Sequence, residues 1–279
     1  MNGVPVAHSR TVLDRAVAES RAVAAFNVIT LEHAEAIVAG AEKAGSPVIL
    51  QLSENAIRFH AGPRAIAAAM VAVAQDASVD VVLHLDHITD PELALRTAEL
   101  GFSSVMFDGA ILPFDENVAE TRRVAEWCHA NDIWIEAELG EVGGKDGAHA
   151  PGVRTDPAEA AEFVAATGVD ALAVAVGSSH AMTEKSAALD HELIGRLRAS
   201  VGLPLVLHGS SGVPDHELAE AARSGMVKIN IGTALNVAFT GAVRSRLDTD
   251  ATLVDPRRYI SPARDAMAEV VGHALKVLA

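Results

Sequence analysis

Three histidines stand where a metal could use them. His87, His180 and His208 each follow a short apolar run, the third, sixth and seventh such runs along the chain. Three imidazoles with one open position is how a catalytic zinc is held, the fourth ligand being water or substrate. One such histidine alone is more often a hydrogen-bonded structural residue; the coincidence of three favours a metal. Asp86, beside His87, can act as a general acid–base or orient that ring. Asp108 and Glu138 end the fourth and fifth runs, where they offer a second metal position, brace the histidines or form salt bridges. His84 shares a face with Asp86 in a regular strand and reads as a packed or bracing residue. His87 must then turn away, so that strand is expected to end near Asp86. Seven further histidines (8, 33, 60, 129, 191, 216 and 273) sit in polar or helical contexts and are expected at the surface.

Two glycine-rich turns follow the last two runs. His208–Gly212 (HGSSG) leads toward a helix near Val213–Pro214, and Asn230–Thr233 (NIGT) repeats the logic. Backbone N–H groups and a helix N-terminus together make an anion site. After the seventh and eighth strands of a barrel, that anion is commonly a phosphate. The stretch 140–153 carries Gly143, Gly144, Gly147 and Gly152 and reads as a mobile active-site loop.

The elements that must position these residues alternate. Eight near-continuously apolar runs read as strands buried on both faces: Val23–Val28, Val48–Leu52, Val81–Leu85, Ser104–Asp108, Trp134–Leu139, Ala171–Gly177, Leu205–His208 and Met226–Ile231. Amphipathic stretches such as Leu31–Ala44 and Asp115–Ala130 lie between them. Thr30, Thr89–Asp90–Pro91 and Thr155–Asp156–Pro157 are helix starts; Gly45, Gly101, Gly168 and Gly225 are helix stops. Eight βα units without a composition break predict one α/β domain over residues 1–279, a single (β/α)8 TIM barrel with an extra C-terminal helix after Asp255. A doubly wound sheet is the alternative, but no strand–GxGxxG–helix opening is present. All eight strand ends carry a polar residue, Asn27, Gln51 and Ser53 among them, which packing alone does not explain.

Composition sets the outer limits. Half of the 279 residues are hydrophobic, enough for a large core, and the formal charge is −15. With a pI near 5.2, a nucleic-acid-binding face is not expected. The single cysteine, Cys128, excludes an intrachain disulfide and a Cys-rich zinc module. No apolar run approaches the ~20 residues of a membrane span. The start of the chain lacks the apolar stretch of a signal peptide, so a cytoplasmic protein is expected.

Across nearly its whole length the chain resembles the class II, metal-dependent ketose-bisphosphate aldolases, of fructose- and tagatose-1,6-bisphosphate type. The resemblance rests on AFNVITLE (25–32), HLDH (84–87), EAELGEVGG (136–144), VGSSH (176–180), LVLHGSSGVP (205–214), KINIGT (228–233) and DPRRYISPARDAM (255–267), in order and spacing. It implies that His87, His180 and His208 are zinc ligands, with Asp108 and Glu138 near the metal. Asp86 matches the acid–base that handles the aldehyde oxygen. Gly209, Ser211, Asn230 and Thr233 match positions holding the dihydroxyacetone phosphate end, and Asn27 is counted with them. Lys185 matches a lysine near a phosphate. Arg257 is implied to reach the second phosphate, in its own or a neighbouring subunit. A homodimer or homotetramer is implied, as is room for a monovalent cation beside the phosphate. The sequence also departs from the pattern: Asp146 stands where the loop base is usually Glu, and Ala181, Gly232 and Ala234 replace other residues around the phosphate. Glu141 and His149 are rivals to Asp146 as the base.

Two other readings compete. A metal-dependent hydrolase barrel would need an H-x-H pair ending the first strand, which AFNVI lacks. A catalytically weak barrel acting as a binding or accessory subunit would show no turnover on any bisphosphate.

Overall fold

The computed structural model describes residues 6–139, 153–179 and 182–279. Eight parallel strands close into a barrel in sequence order: β1 (Val23–Asn27), β2 (Val48–Ser53), β3 (Val81–Ile88), β4 (Ser104–Phe107), β5 (Trp134–Glu138), β6 (Ala171–Ala173), β7 (Leu205–Leu207) and β8 (Met226–Ile231). Each expected run is a strand, though β6 is shorter than its apolar run. Helices alternate with the strands, giving the (β/α)8 TIM barrel. Local signals act where expected. Asp90 and Asp156 cap the helices that open at Pro91 and Pro157, and Gly45 and Gly168 end theirs in the left-handed conformation (φ 63° and 72°).

Strand alternation divides the core in two. Outward residues such as Phe26, Leu50, Leu83, Phe107 and Leu172 pack under the helices. Inward residues at the lower end form a second apolar cluster, with Val23, Ile49, Val82, Met106, Trp134 and Val206 among its members. The helix Ser9–Ala18, which the sequence reading did not anticipate, closes this end with Val12, Leu13 and Ala16. Higher up, the same inward faces carry Gln51, His84, Asp86, Glu136, Glu138, Lys228 and Asn230, all buried.

Two irregularities aim these side chains. Strand β3 does not end near Asp86. It continues to Ile88 with a register shift against β4 between Leu85 and Ile88, and His87 takes φ 49°. In a regular strand Asp86 and His87 would face opposite sides; the bulge lets both face inward. A second shift lies between β7 and β8, where Leu205 pairs with Met226 and Val206 with Lys228. Val227 then joins the inner cluster while Lys228 also points inward.

After β8 come two long helices, Thr233–Thr249 and the final Arg257–Val277. The latter packs on Leu31–Ala44 so closely that a Cβ on Gly40 would lie 2.6 Å from the Ala268 carbonyl. His33 corrects the surface expectation. It is buried, caps its own helix at Thr30 and faces Asn236.

Candidate active site

The upper rim of the barrel gathers His87 from β3, Glu138 from β5 and His208 from just past β7. Among the described residues these three can offer one ligand atom each within 4.8 Å of one another. His180, the third expected histidine ligand, lies outside the described residues, as do Asp146, Glu141, His149 and Ala181. Asp108 stands behind the ligand atoms, its Oδ2 2.7 Å from His87 Nδ1. Glu136 does the same for His208, its Oε1 3.0 Å from Nε2. With each carboxylate accepting a ring N–H, both imidazoles keep a lone pair on the other nitrogen. Those nitrogens, His87 Nε2 and His208 Nδ1, face one another at 3.0 Å, with Glu138 Oε2 3.6 Å from the latter. Rings fixed by carboxylates, with two ring nitrogens converging beside a third carboxylate, are what a divalent metal requires.

Asp86 lies alongside, buried, and its Oδ2 accepts a hydrogen bond from Asn27 Nδ2 at 2.9 Å. Gln51 Nε2 in turn donates to Asn27 Oδ1 at 3.0 Å, which fixes the amide's orientation. Burial by itself would raise the Asp86 pKa. The neighbouring His87, Lys228 and His208, with the Asn27 hydrogen bond, outweigh it and hold the carboxyl below its ordinary value. Gly232 is part of this arrangement, since a Cβ there would sit 2.7 Å from Asn27 Oδ1. Gln51 Oε1, Asp86 Oδ1 and Asn230 Oδ1 are buried with no hydrogen-bond partner among the described residues. Acceptors buried this way call for donors, and a polyhydroxylated ligand supplies them.

The two glycine turns meet. Gly209 adopts φ 69°, one turn of 3-10 helix follows at Ser210–Gly212, and Ser211 Oγ accepts from the Ala234 backbone N–H at 3.1 Å. Thr233 opens the helix Thr233–Thr249, so its N-terminus adjoins the serine turn. That brings Gly209, Ser211 and Thr233 together. Lys185 lines one cavity with Ser210, Ser211 and Ala234. Lys185 pairs with Asp215, which also accepts from His273 at 2.7 Å, and Arg257 is highly exposed and paired with Asp255.

The chain matches the family model for "Fructose-bisphosphate aldolase class-II" over residues 7–279. It belongs to the class-II fructose-bisphosphate aldolase family. Like the family, it is an aldolase, a carbon–carbon lyase, and the family's general dependence on metal agrees with the His87–Glu138–His208 cluster. It is similar to a fructose-bisphosphate aldolase of Staphylococcus aureus (strain Mu50), 38% identical over 98% of this chain and 97% of the relative. The corresponding figures for a fructose-bisphosphate aldolase of Geobacillus stearothermophilus are 40%, 94% and 93%. Among solved structures, the YdjI aldolase from Escherichia coli K12 superposes with a TM-score of 0.85 at 33% identity, covering 98% of this chain and 97% of that one. No helix among the described residues is long and apolar enough to cross a membrane.

Sequence reasoning about this aldolase left Glu136 and Lys228 without a role. Both had a signal: Glu136 is two residues from Glu138 and so on the same face, and Lys228 is a lone charge inside an apolar strand.

Proposed function

We propose that this aldolase is zinc-dependent and reversibly cleaves a ketose 1,6-bisphosphate, of fructose or tagatose type, into dihydroxyacetone phosphate and an aldehyde. The observation that carries the metal is the pair of converging ring nitrogens on His87 and His208, each fixed from behind by a carboxylate. Those two rings, with His180 and Glu138, would hold the ion. Zinc there supplies Lewis-acid polarisation of the substrate's C2 carbonyl.

The remaining steps belong to the protein. Asp86, oriented by Asn27, takes the C4 hydroxyl proton in cleavage and returns it to the aldehyde oxygen in condensation. Its lowered pKa keeps it ionised, ready for the cleavage direction. Asp146 removes the C3 proton of dihydroxyacetone phosphate in condensation and restores it in cleavage. Gly209, Ser211 and Thr233, at the turn and helix start beside β8, hold a phosphate against the net charge of −15. Asn230 accepts from a substrate hydroxyl through its buried Oδ1.

Cleavage of both bisphosphates, with and without chelator, tests the reading. The expected result is about one zinc per chain and turnover of at least one bisphosphate, lost on chelation and restored by zinc. Full turnover in the chelated, metal-free protein would overturn the metal; no turnover on either substrate with zinc bound would overturn the substrate class. Solvent exchange of the dihydroxyacetone phosphate C3 proton isolates the base. It should fall ~10²–10⁴-fold in Asp146→Ala and hold in Glu141→Ala and His149→Ala.

A further inference from the structure

Below the rim, a chain of buried polar and charged groups continues from Glu136 deeper into the barrel. Lys228, 1% exposed, donates from Nζ to Glu136 Oε2 at 2.8 Å; Glu136 is 0% exposed. The same ammonium faces His84 Nε2 at 3.4 Å. His84 Nδ1 lies 2.9 Å from Ser104 Oγ. Burial, reinforced by Lys228, pushes the His84 pKa well down, so the ring is neutral, accepts from the ammonium and donates to the serine. The other oxygen of Glu136 receives His208 Nε2–H.

Two buried charges in a barrel interior need a reason. Well-packed apolar residues at such positions are often as stable or more so, and the layer just beneath is apolar throughout its cluster. Nor does Lys228 have the setting of a nucleophile, because its ammonium is held between Glu136 and His84. What the arrangement does is geometric. A glutamate has three side-chain torsions, and a hydrogen bond to one oxygen alone leaves the carboxylate free to swing. Lys228 anchors Oε2 from β8, so Oε1 is presented to His208 from β5. His208 Nε2 is thereby committed as the donor and Nδ1 as the lone pair that faces His87.

We propose that Lys228 is a positioning residue that acts through Glu136 to fix the ring orientation and tautomer of His208 for the metal. The inference rests on the metal reading above, extending it one layer deeper into the barrel.

The test is a cycle of Lys228→Met, Glu136→Gln and the double variant in the full chain. Its readouts are the zinc dissociation constant by chelator competition, the visible spectrum of the cobalt-substituted protein, and the melting temperature of the metal-free form. Loss of such a supporting partner typically weakens metal binding 10–100-fold. Lys228→Met and Glu136→Gln should each do so, with altered cobalt bands. The double variant should bind about as weakly as Glu136→Gln alone, because the lysine acts through that carboxylate. A merely structural pair would lower the melting temperature and leave zinc affinity and cobalt spectrum at wild-type values, which would overturn the inference. Strictly additive losses in the double variant would overturn it as well. Should Lys228→Met fail to fold, the double variant leaves no buried charge unpaired, and its affinity against that of Glu136→Gln decides between a shared path and independent ones. A wild-type protein without zinc affinity would instead sink the metal reading itself.

Discussion

The two ends of the barrel interior come from the same eight strands by the same inward–outward alternation, yet they are filled differently. The lower end is packed with Val23, Ile49, Val82, Met106 and Trp134 and closed by Leu13 of the first helix. The upper end holds Asn27, Gln51, Asp86, Glu136, Glu138, His208, Lys228 and Asn230, tied by hydrogen bonds or with oxygens awaiting donors. Apolar burial stabilises the fold wherever it occurs, at roughly 25 cal/mol per Å². Buried polar groups do so only when fully partnered. The lower end therefore carries stability, and the upper end gives some of it up for chemistry.

That division predicts separable effects. The largest belongs to Asp86→Asn, which keeps the shape and the neighbour Asn27 but removes the proton acceptor. It should lower kcat ~10²–10⁴-fold while zinc content and melting temperature stay near wild type. A large fall in melting temperature would mean the upper end also bears the fold. Next is Leu13→Ala at the lower end, 1% exposed. A cavity there should cost about 2–5 kcal/mol in denaturant unfolding, with kcat within a few-fold of wild type. An equal loss of activity in the folded variant would dissolve the contrast.

The smallest effect sharpens the comparison from outside the barrel. Burial depresses the His33 pKa against the opposing pull of its Asn236 hydrogen bond and of Glu32. Between the folded value and the ordinary one near 6.5, the unfolded chain binds the extra proton. Stability from this group is therefore greatest above that range and falls as pH drops through it, by at most one proton's slope, about 1.4 kcal/mol per pH unit. His33→Gln keeps a side chain suited to the capping box at Thr30. It should flatten the stability profile between about pH 7 and 5, read by denaturant titration, relative to wild type; an identical slope would show that His33 binds its proton equally in both states.

Fold and site were legible in the sequence to different degrees. All eight strands were readable because strands covered on both faces leave near-continuous apolar runs such as VVLHL (81–85) and ALAVAV (171–176). The Ser9–Ala18 helix was not, since its apolar positions Val12, Leu13 and Ala16 are few and its partners lie inside the barrel. At the site, His87 and His208 stood out because a histidine closing an apolar strand is conspicuous. Glu136 and Lys228 did not, because their meeting depends on the closure that brings β5 and β8 to face each other across the interior, a relation no local pattern encodes. His33 misled for a related reason: its helical context is ordinary, and only the later helix carrying Asn236 buries it.

The kink at His87 carries a lesson for anyone wishing to graft this chemistry elsewhere. Because the extra residue in β3 is what turns Asp86 and His87 to the same side, the pair is one mechanical part rather than two substitutable positions. Writing Asp–His into an unbroken strand of another barrel would send one of the two into the layer of helices. Deleting a single residue between Leu85 and Ile88 here would do likewise. A recipient scaffold must bring its own irregularity at that height, with a backbone willing to sit at positive φ, before the two side chains have anything to share.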